Sequence, residues 1–112
     1  MSGKCHLVMD HQTNFKFCCK KVHLLKYTKE EVNLWSELTH RFIVKLYGAI
    51  RHGVKIYIFC EFIDGGSLAA CIEEQKRLRQ RVSHWSAINY FHQLLQVLDY
   101  LQSQDILHED IK

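Results

Sequence analysis

The chain has 112 residues, 47% hydrophobic and 24% charged, with a formal net charge of +3, which allows one domain, or part of one, with a modest core. That balance is ordinary for a soluble globular chain. The basic residues are scattered, which excludes a nucleic-acid stripe or a polybasic membrane anchor, and no apolar run is long enough to cross a bilayer.

In chain order, residues 4–9 read as a strand and Asp10-His11-Gln12-Thr13-Asn14 as a turn, with Asn14 able to take left-handed geometry. Residues 15–22 form a second strand, so the pair makes a hairpin. Period two sends Lys16, Cys18, Lys20 and Val22 to one face, and Phe15, Phe17, Cys19 and Lys21 to the other. Thr28 and Glu31 have the spacing of a capping box. The helix they open runs through Val32, Trp35 and Leu38 and stops near Thr39-His40. Residues 43–50 read as a strand, Arg51-His52-Gly53 as a turn, and residues 54–62, rich in aromatic and β-branched side chains, as a further strand.

Asp64-Gly65-Gly66 breaks the pattern, and Ser67 caps a short helix over residues 68–74. Residues 75–81 are a solvated helix end or loop. Ser83 then caps the longest helix, which runs to Gln104; its apolar positions Trp85, Ile88, Phe91, Leu94, Leu95, Leu98 and Leu101 keep helical spacing. The expected fold is α+β: a small antiparallel sheet carrying one helix, tied by a hinge to a mostly helical body.

Met1-Ser2-Gly3-Lys4-Cys5 lacks the apolar core of a signal peptide. Five cysteines without C-x-x-C spacing favour free thiols in a reducing compartment, so a cytoplasmic location is expected. The eight histidines are dispersed, and no metal site is expected from them. The last stretch, Ile106-Leu107-His108-Glu109-Asp110-Ile111-Lys112, alternates a histidine, an aspartate and a lysine. A carboxylate two residues from an ammonium suits phosphoryl transfer: one orients and deprotonates an attacking hydroxyl, the other steadies the phosphate oxygens. A solvated turn fits the same spacing.

Several stretches together resemble eukaryotic-type protein kinases in order and spacing. They are the strand before Val22 with its double lysine, Ile43-Val44-Lys45-Leu46-Tyr47-Gly48-Ala49, Gly65-Gly66-Ser67-Leu68, Asp99-Tyr100-Leu101 and Ile106-Leu107-His108. The resemblance spans nearly the whole chain and is nearest to the mitogen-activated protein kinase kinase kinase group. It implies that residues 1–63 are an incomplete small lobe with its hinge, the first strand missing, and that residues 64–112 begin the large lobe and end at the catalytic loop. It also implies ATP and magnesium as cofactors and serine or threonine hydroxyls of a protein as substrate.

By the same resemblance, Lys20 grips the α- and β-phosphates, and Glu31, eleven residues on, pairs with it; Glu30 is a second candidate. A solvated strand lysine and a capping glutamate are the plainer roles for these two. Gly3 corresponds to the last glycine of the phosphate-covering loop and Cys5 to the residue over the adenine. Cys18 replaces a smaller alanine in the adenine roof, and Cys60 guards the back of the pocket. The Glu61 carbonyl and the Ile63 amide and carbonyl correspond to hinge groups that meet adenine. Ser67, like Asp64, corresponds to a residue reaching toward the ribose, although helix capping suits Ser67 equally. Asp110 corresponds to the catalytic base and Lys112 to the lysine on the transferred phosphate, with His108 a core residue.

Two departures bear on activity. Glu109 stands where most of these kinases have an arginine that holds a phosphorylated loop, and a carboxylate there repels phosphate. The family's magnesium-binding asparagine and Asp-Phe-Gly have no counterpart before Lys112, so the isolated chain is expected not to transfer phosphate. The apolar face from Trp85 to Leu101 is expected to aggregate or to take a protein partner. Two functions follow: a fragment of an ATP-dependent serine/threonine kinase of a signalling cascade, or a non-catalytic, truncated kinase-like interaction module. Neither needs nucleic acid or membrane as a partner.

Overall fold

Alternating β-branched, aromatic and thiol side chains make four strands in the first half of the chain: β1 (Cys5–Met9), β2 (Lys16–His23), β3 (Leu46–His52) and β4 (Lys55–Glu61). The computed structural model describes residues 5–106, so Gly3, His108, Glu109, Asp110 and Lys112 lie outside the described residues. All strand pairs are antiparallel, in the order β1-β2-β4-β3. The β1–β2 turn is the expected one. Asn14 takes a φ of 58°, its amide donates to Asp10 O (2.8 Å), and the Asp10 amide donates to Phe15 O (2.9 Å).

Helix α1 (Lys29–Ser36) follows a single 3-10 turn, Leu24–Lys26, whose first free amide, at Leu25, donates to His23 Nδ1 (3.1 Å). Two expectations are corrected at α1. Thr28 is the N-cap but its side chain makes no capping bond, so the capping box is not closed from that side. The helix also stops at Ser36 rather than reaching Leu38, because the Glu37 and Leu38 amides turn back to Leu34 O and Trp35 O (3.1 and 3.0 Å). Trp35 Nε1 then donates to Val44 O (2.8 Å), fastening the helix to the segment that leads into β3.

Strand β3 begins at Leu46, not Ile43, since the Ile43 amide closes a turn onto His40 O (3.1 Å). It also extends through Arg51 and His52, which leaves Gly53, at φ 63°, to make the turn into β4. The register slips between Leu46 and Gly48, a β-bulge that keeps Leu46 opposite Cys60. Val22, Val32, Ile56 and Ile58 form the buried core between sheet and α1, with Leu24, Tyr27, Trp35 and Leu46 packed against it.

From Asp64 onward the described residues make up a second compact unit. Gly65 and Gly66 take left-handed φ values of 93° and 76°, which L side chains adopt only with strain. Helix α2 (Leu68–Arg77) starts on Ser67, whose Oγ accepts from the Ala70 amide (3.1 Å). It runs a turn beyond Glu74, into the stretch read as helix end or loop, and carries the Glu73–Lys76 and Glu74–Arg77 pairs. Helix α3 (His84–Ser103) is capped by Ser83, whose Oγ accepts from the Ser86 amide (3.1 Å). Trp85 (82% exposed), Ile88, Phe91 and Leu95 face outward, whereas Leu101 is buried. No helix among the described residues is long and apolar enough to cross a membrane. The sheet with its helix, followed by helices, is the α+β arrangement expected.

Candidate functional site

The hairpin register brings together side chains that lie far apart in sequence. Cys5 opposes Lys20, Cys18 opposes Cys60, and Lys20 opposes Ile58. Because directly opposed residues share a face, Cys5, Cys18, Lys20 and Cys60 lie on one side of the sheet. That side also presents Val22, Ile56 and Ile58 to α1. The alternation read from residues 15–22 is therefore correct, and it makes Lys20 a neighbour of the core.

Glu31 lies in the first turn of α1, next to the core residue Val32. Lys20 and Glu31 thus stand on the two elements that meet at the core, and neither lacks a partner. With Thr28 making no side-chain cap, the capping role for Glu31 loses its reciprocal half.

The thiols are in contact. Cys18 interacts with Cys5 on one side and with Cys60 on the other. Burial pushes the Cys5, Cys18, Cys19 and Cys60 thiols above the ordinary cysteine range, because removal from water disfavours the thiolate. The positive charge of Lys20 works the other way on Cys5 and Cys60. Cys60 is 8% exposed, Cys18 half-buried and Cys5 exposed.

At the end of β4 the ladder changes its partners. The Glu61 amide donates to Lys45 O (2.8 Å), while the Lys45 amide donates to the Glu61 carboxylate, Oε2 at 3.1 Å. Ile63 follows, exposed, beyond the strand. Ser67 belongs to the second unit as the cap of α2, and Asp64 precedes the two glycines there. Gly3, Asp110 and Lys112 fall outside the described residues.

One cation beside a soft, apolar surface suits an anionic ligand with a flat, apolar part. Among the described residues no group of three or more His, Cys, Asp or Glu side chains could hold a metal ion. The thiol chain is what residue-by-residue reading missed. Its signal was present in the hairpin: counting the register back from the Asp10–Asn14 turn sets Cys5 against Lys20, one side-chain step from Cys18.

The whole chain, residues 1–112, matches the family model described as protein kinase domain. An Aurora kinase of Yarrowia lipolytica is 30% identical over an alignment covering 98% of this chain and 31% of that protein. Mitogen-activated protein kinase kinase kinase 8 of Rattus norvegicus is 29% identical over 98% of this chain and 23% of its own length. CBL-interacting serine/threonine-protein kinase 8 of Arabidopsis thaliana is 35% identical over 82% of this chain and 20% of its own length. The chain therefore spans about a third or less of these curated relatives. The crystal structure of Rad53 1–466 in complex with AMP-PNP shares the fold, with a TM-score of 0.84 at 23% identity, covering 98% of this chain and 29% of that one.

Proposed function

The chain belongs to the protein kinase domain family, and from that membership we propose that it is part of an ATP-dependent serine/threonine protein kinase acting in a cytoplasmic signalling cascade. Within the family we propose the mitogen-activated protein kinase kinase kinase group, on a likeness to NF-kappa-B-inducing kinase; the rat kinase of that group is 29% identical. Residues 1–63 then serve as small lobe and hinge, and residues 64–112 as the opening of the large lobe.

The observation that carries the reading is Lys20 on the same sheet face as Cys5, Cys18 and Cys60, beside the core that α1 covers. In the proposed mechanism the Lys20 ammonium holds the α- and β-phosphates and Glu31 orients it. Cys5, Cys18 and Cys60 give adenine a soft apolar wall. The Glu61 carbonyl and the Ile63 amide and carbonyl meet adenine in this proposal. Ser67 combines capping of α2 with reach toward the ribose, and Gly3 lets the covering loop approach the phosphates. Asp110 accepts the proton of the substrate hydroxyl, and Lys112 balances charge on the phosphoryl group in flight.

Magnesium supplies charge neutralisation at the phosphates in this family's chemistry. Among the described residues no group of three or more His, Cys, Asp or Glu side chains could hold the ion. We further propose that these 112 residues by themselves transfer no phosphate; magnesium-dependent transfer by the purified chain would refute this.

Nucleotide binding is tested with a fluorescent ATP analogue. Saturable binding that weakens at least about tenfold, or roughly 1.4 kcal/mol, in Lys20→Met is expected, while Cys71→Ser on α2 leaves it unchanged. Equal affinity in Lys20→Met, or no saturable binding in the parent, refutes the reading. The exposed Trp85, Ile88, Phe91 and Leu95 favour one alternative, a non-catalytic interaction module that binds a protein through α3 and has no need of Lys20.

A further inference from the structure

Three of the five thiols lie on one sheet face, and two of them are directly opposed. Cys18 of β2 stands across from Cys60 of β4. The same register continues to Leu24 and Val54, where the Leu24 amide donates to Val54 O (2.8 Å). Counting back by twos from that rung, Val22 with Ile56, Lys20 with Ile58 and Cys18 with Cys60 are the hydrogen-bonded pairs of the ladder. Opposed residues of such a pair hold their Cα atoms about 5.5 Å apart, within the roughly 4.4–6.8 Å that a disulfide spans. Their Cβ atoms, nearer about 5.5 Å than about 4.5 Å in such a pair, must close by about 1 Å, which makes the bond strained and easily reduced.

The other thiols are less well placed. Cys5 opposes Lys20 and meets Cys18 only along the diagonal; its side chain reaches Cys18, but Cα atoms so placed stand roughly 7–8 Å apart, too far to be bridged without backbone movement. Cys19 alternates to the opposite face of β2, and Cys71 belongs to α2.

We propose that Cys18 and Cys60 form a modification site, a cross-strand dithiol that hydrogen peroxide closes to a disulfide while Cys5 stays reduced. Cys18, the more accessible of the two, reacts first. Its thiolate attacks one peroxide oxygen, the O–O bond breaks, and a sulfenic acid forms as the departing hydroxide takes up a proton to become water. The Cys60 thiolate then displaces hydroxide from that sulfur, making the S–S bond and, on protonation, a second water. Two thiols are oxidised and one peroxide is reduced. Burial holds both thiols protonated at neutral pH, so the site answers sustained rather than brief exposure to peroxide. The site rests on the sheet alone and stands whether or not nucleotide binds.

The purified protein is treated with hydrogen peroxide, blocked with N-ethylmaleimide, digested without reduction and mapped by mass spectrometry. The peptide carrying Cys18 and Cys19 becomes joined to the one carrying Cys60 and Cys71, within a single chain, and dithiothreitol releases it. The link persists in Cys19→Ser, Cys71→Ser and Cys5→Ser, and is lost in Cys18→Ser and Cys60→Ser. A link that needs Cys19 or Cys71, a Cys5–Cys18 bond, a bond only between chains, or oxidation to sulfinic and sulfonic acids without any link overturns the proposal.

Discussion

Ile58 is 1% exposed at the middle of β4, between Lys20 of β2 and Ala49 of β3. Ile58→Ala removes three carbons, a transfer loss of about 2.4 kcal/mol at about 0.8 kcal/mol per carbon. A cavity term adds to this, because Val22, Val32 and Ile56 around it are β-branched, and two of them are fixed on sheet rungs. The expected total is about 4 kcal/mol, in the upper half of the range for such truncations. Ile50, 58% exposed on β3, serves as the comparison, and Ile50→Ala should cost less than about 1 kcal/mol.

Urea unfolding followed by Trp35 emission, in a Trp85→Phe background, reads the sheet unit directly. Trp35 packs against this core and donates to Val44 O. The midpoint should fall steeply for Ile58→Ala at unchanged slope. A loss below about 1 kcal/mol, or one no larger than that of Ile50→Ala, refutes the placement of the core.

Two further outcomes are expected. Ser67→Ala removes the acceptor for the Ala70 amide and should cost about 1 kcal/mol; faster hydrogen exchange at Ala70 checks it, with Ser67→Asn restoring protection. The thiols of Cys18, Cys19 and Cys60 are raised by burial. Such groups stabilise the fold fully while thiols are protonated in both states, and the benefit is lost as pH rises from the ordinary thiol range, about 8.5, through their higher folded values. Urea midpoints should therefore be flat below that range and fall above it. Serine at all three positions should flatten the alkaline limb, and an unchanged limb would contradict the assignment.

The sheet was legible because β2 and β4 alternate cleanly: Cys18, Lys20 and Val22 fall on one side as period two requires, and the Asp10–Asn14 turn carries its own chemistry. The borders of α1, α2 and β3 were harder, for reasons specific to each. No proline or glycine stops α1, so Leu38 looks helical although its amide merely tightens the last turn. Ile43-Val44-Lys45 has strand composition, yet Trp35 and His40 claim its backbone groups. Helix α2 continues into a polar run because Glu73 and Glu74 pair with Lys76 and Arg77.

The core also escaped a reading by hydrophobicity alone. Trp85 is the most exposed residue of its apolar stripe, whereas mid-sized β-branched residues fill the interior. At the candidate site, period two was enough to put Cys18 and Lys20 on one face. The contacts among Cys5, Cys18 and Cys60 required a strand register that no single motif contains.

The strand order has a consequence for how the chain is born. β4 is the last of the four to leave the ribosome, yet it lies between β2 and β3. The leading hairpin can close by itself, whereas β3 has no neighbour to zip onto, and Val32 only Val22 to rest on, until Ile56 and Ile58 emerge. Synthesis paused within the Gly53 turn would hold a nascent chain with its oily side chains bared, open to chaperones and to misfolding. The final seven-residue strand is the keystone whose arrival converts that collection of parts into a domain.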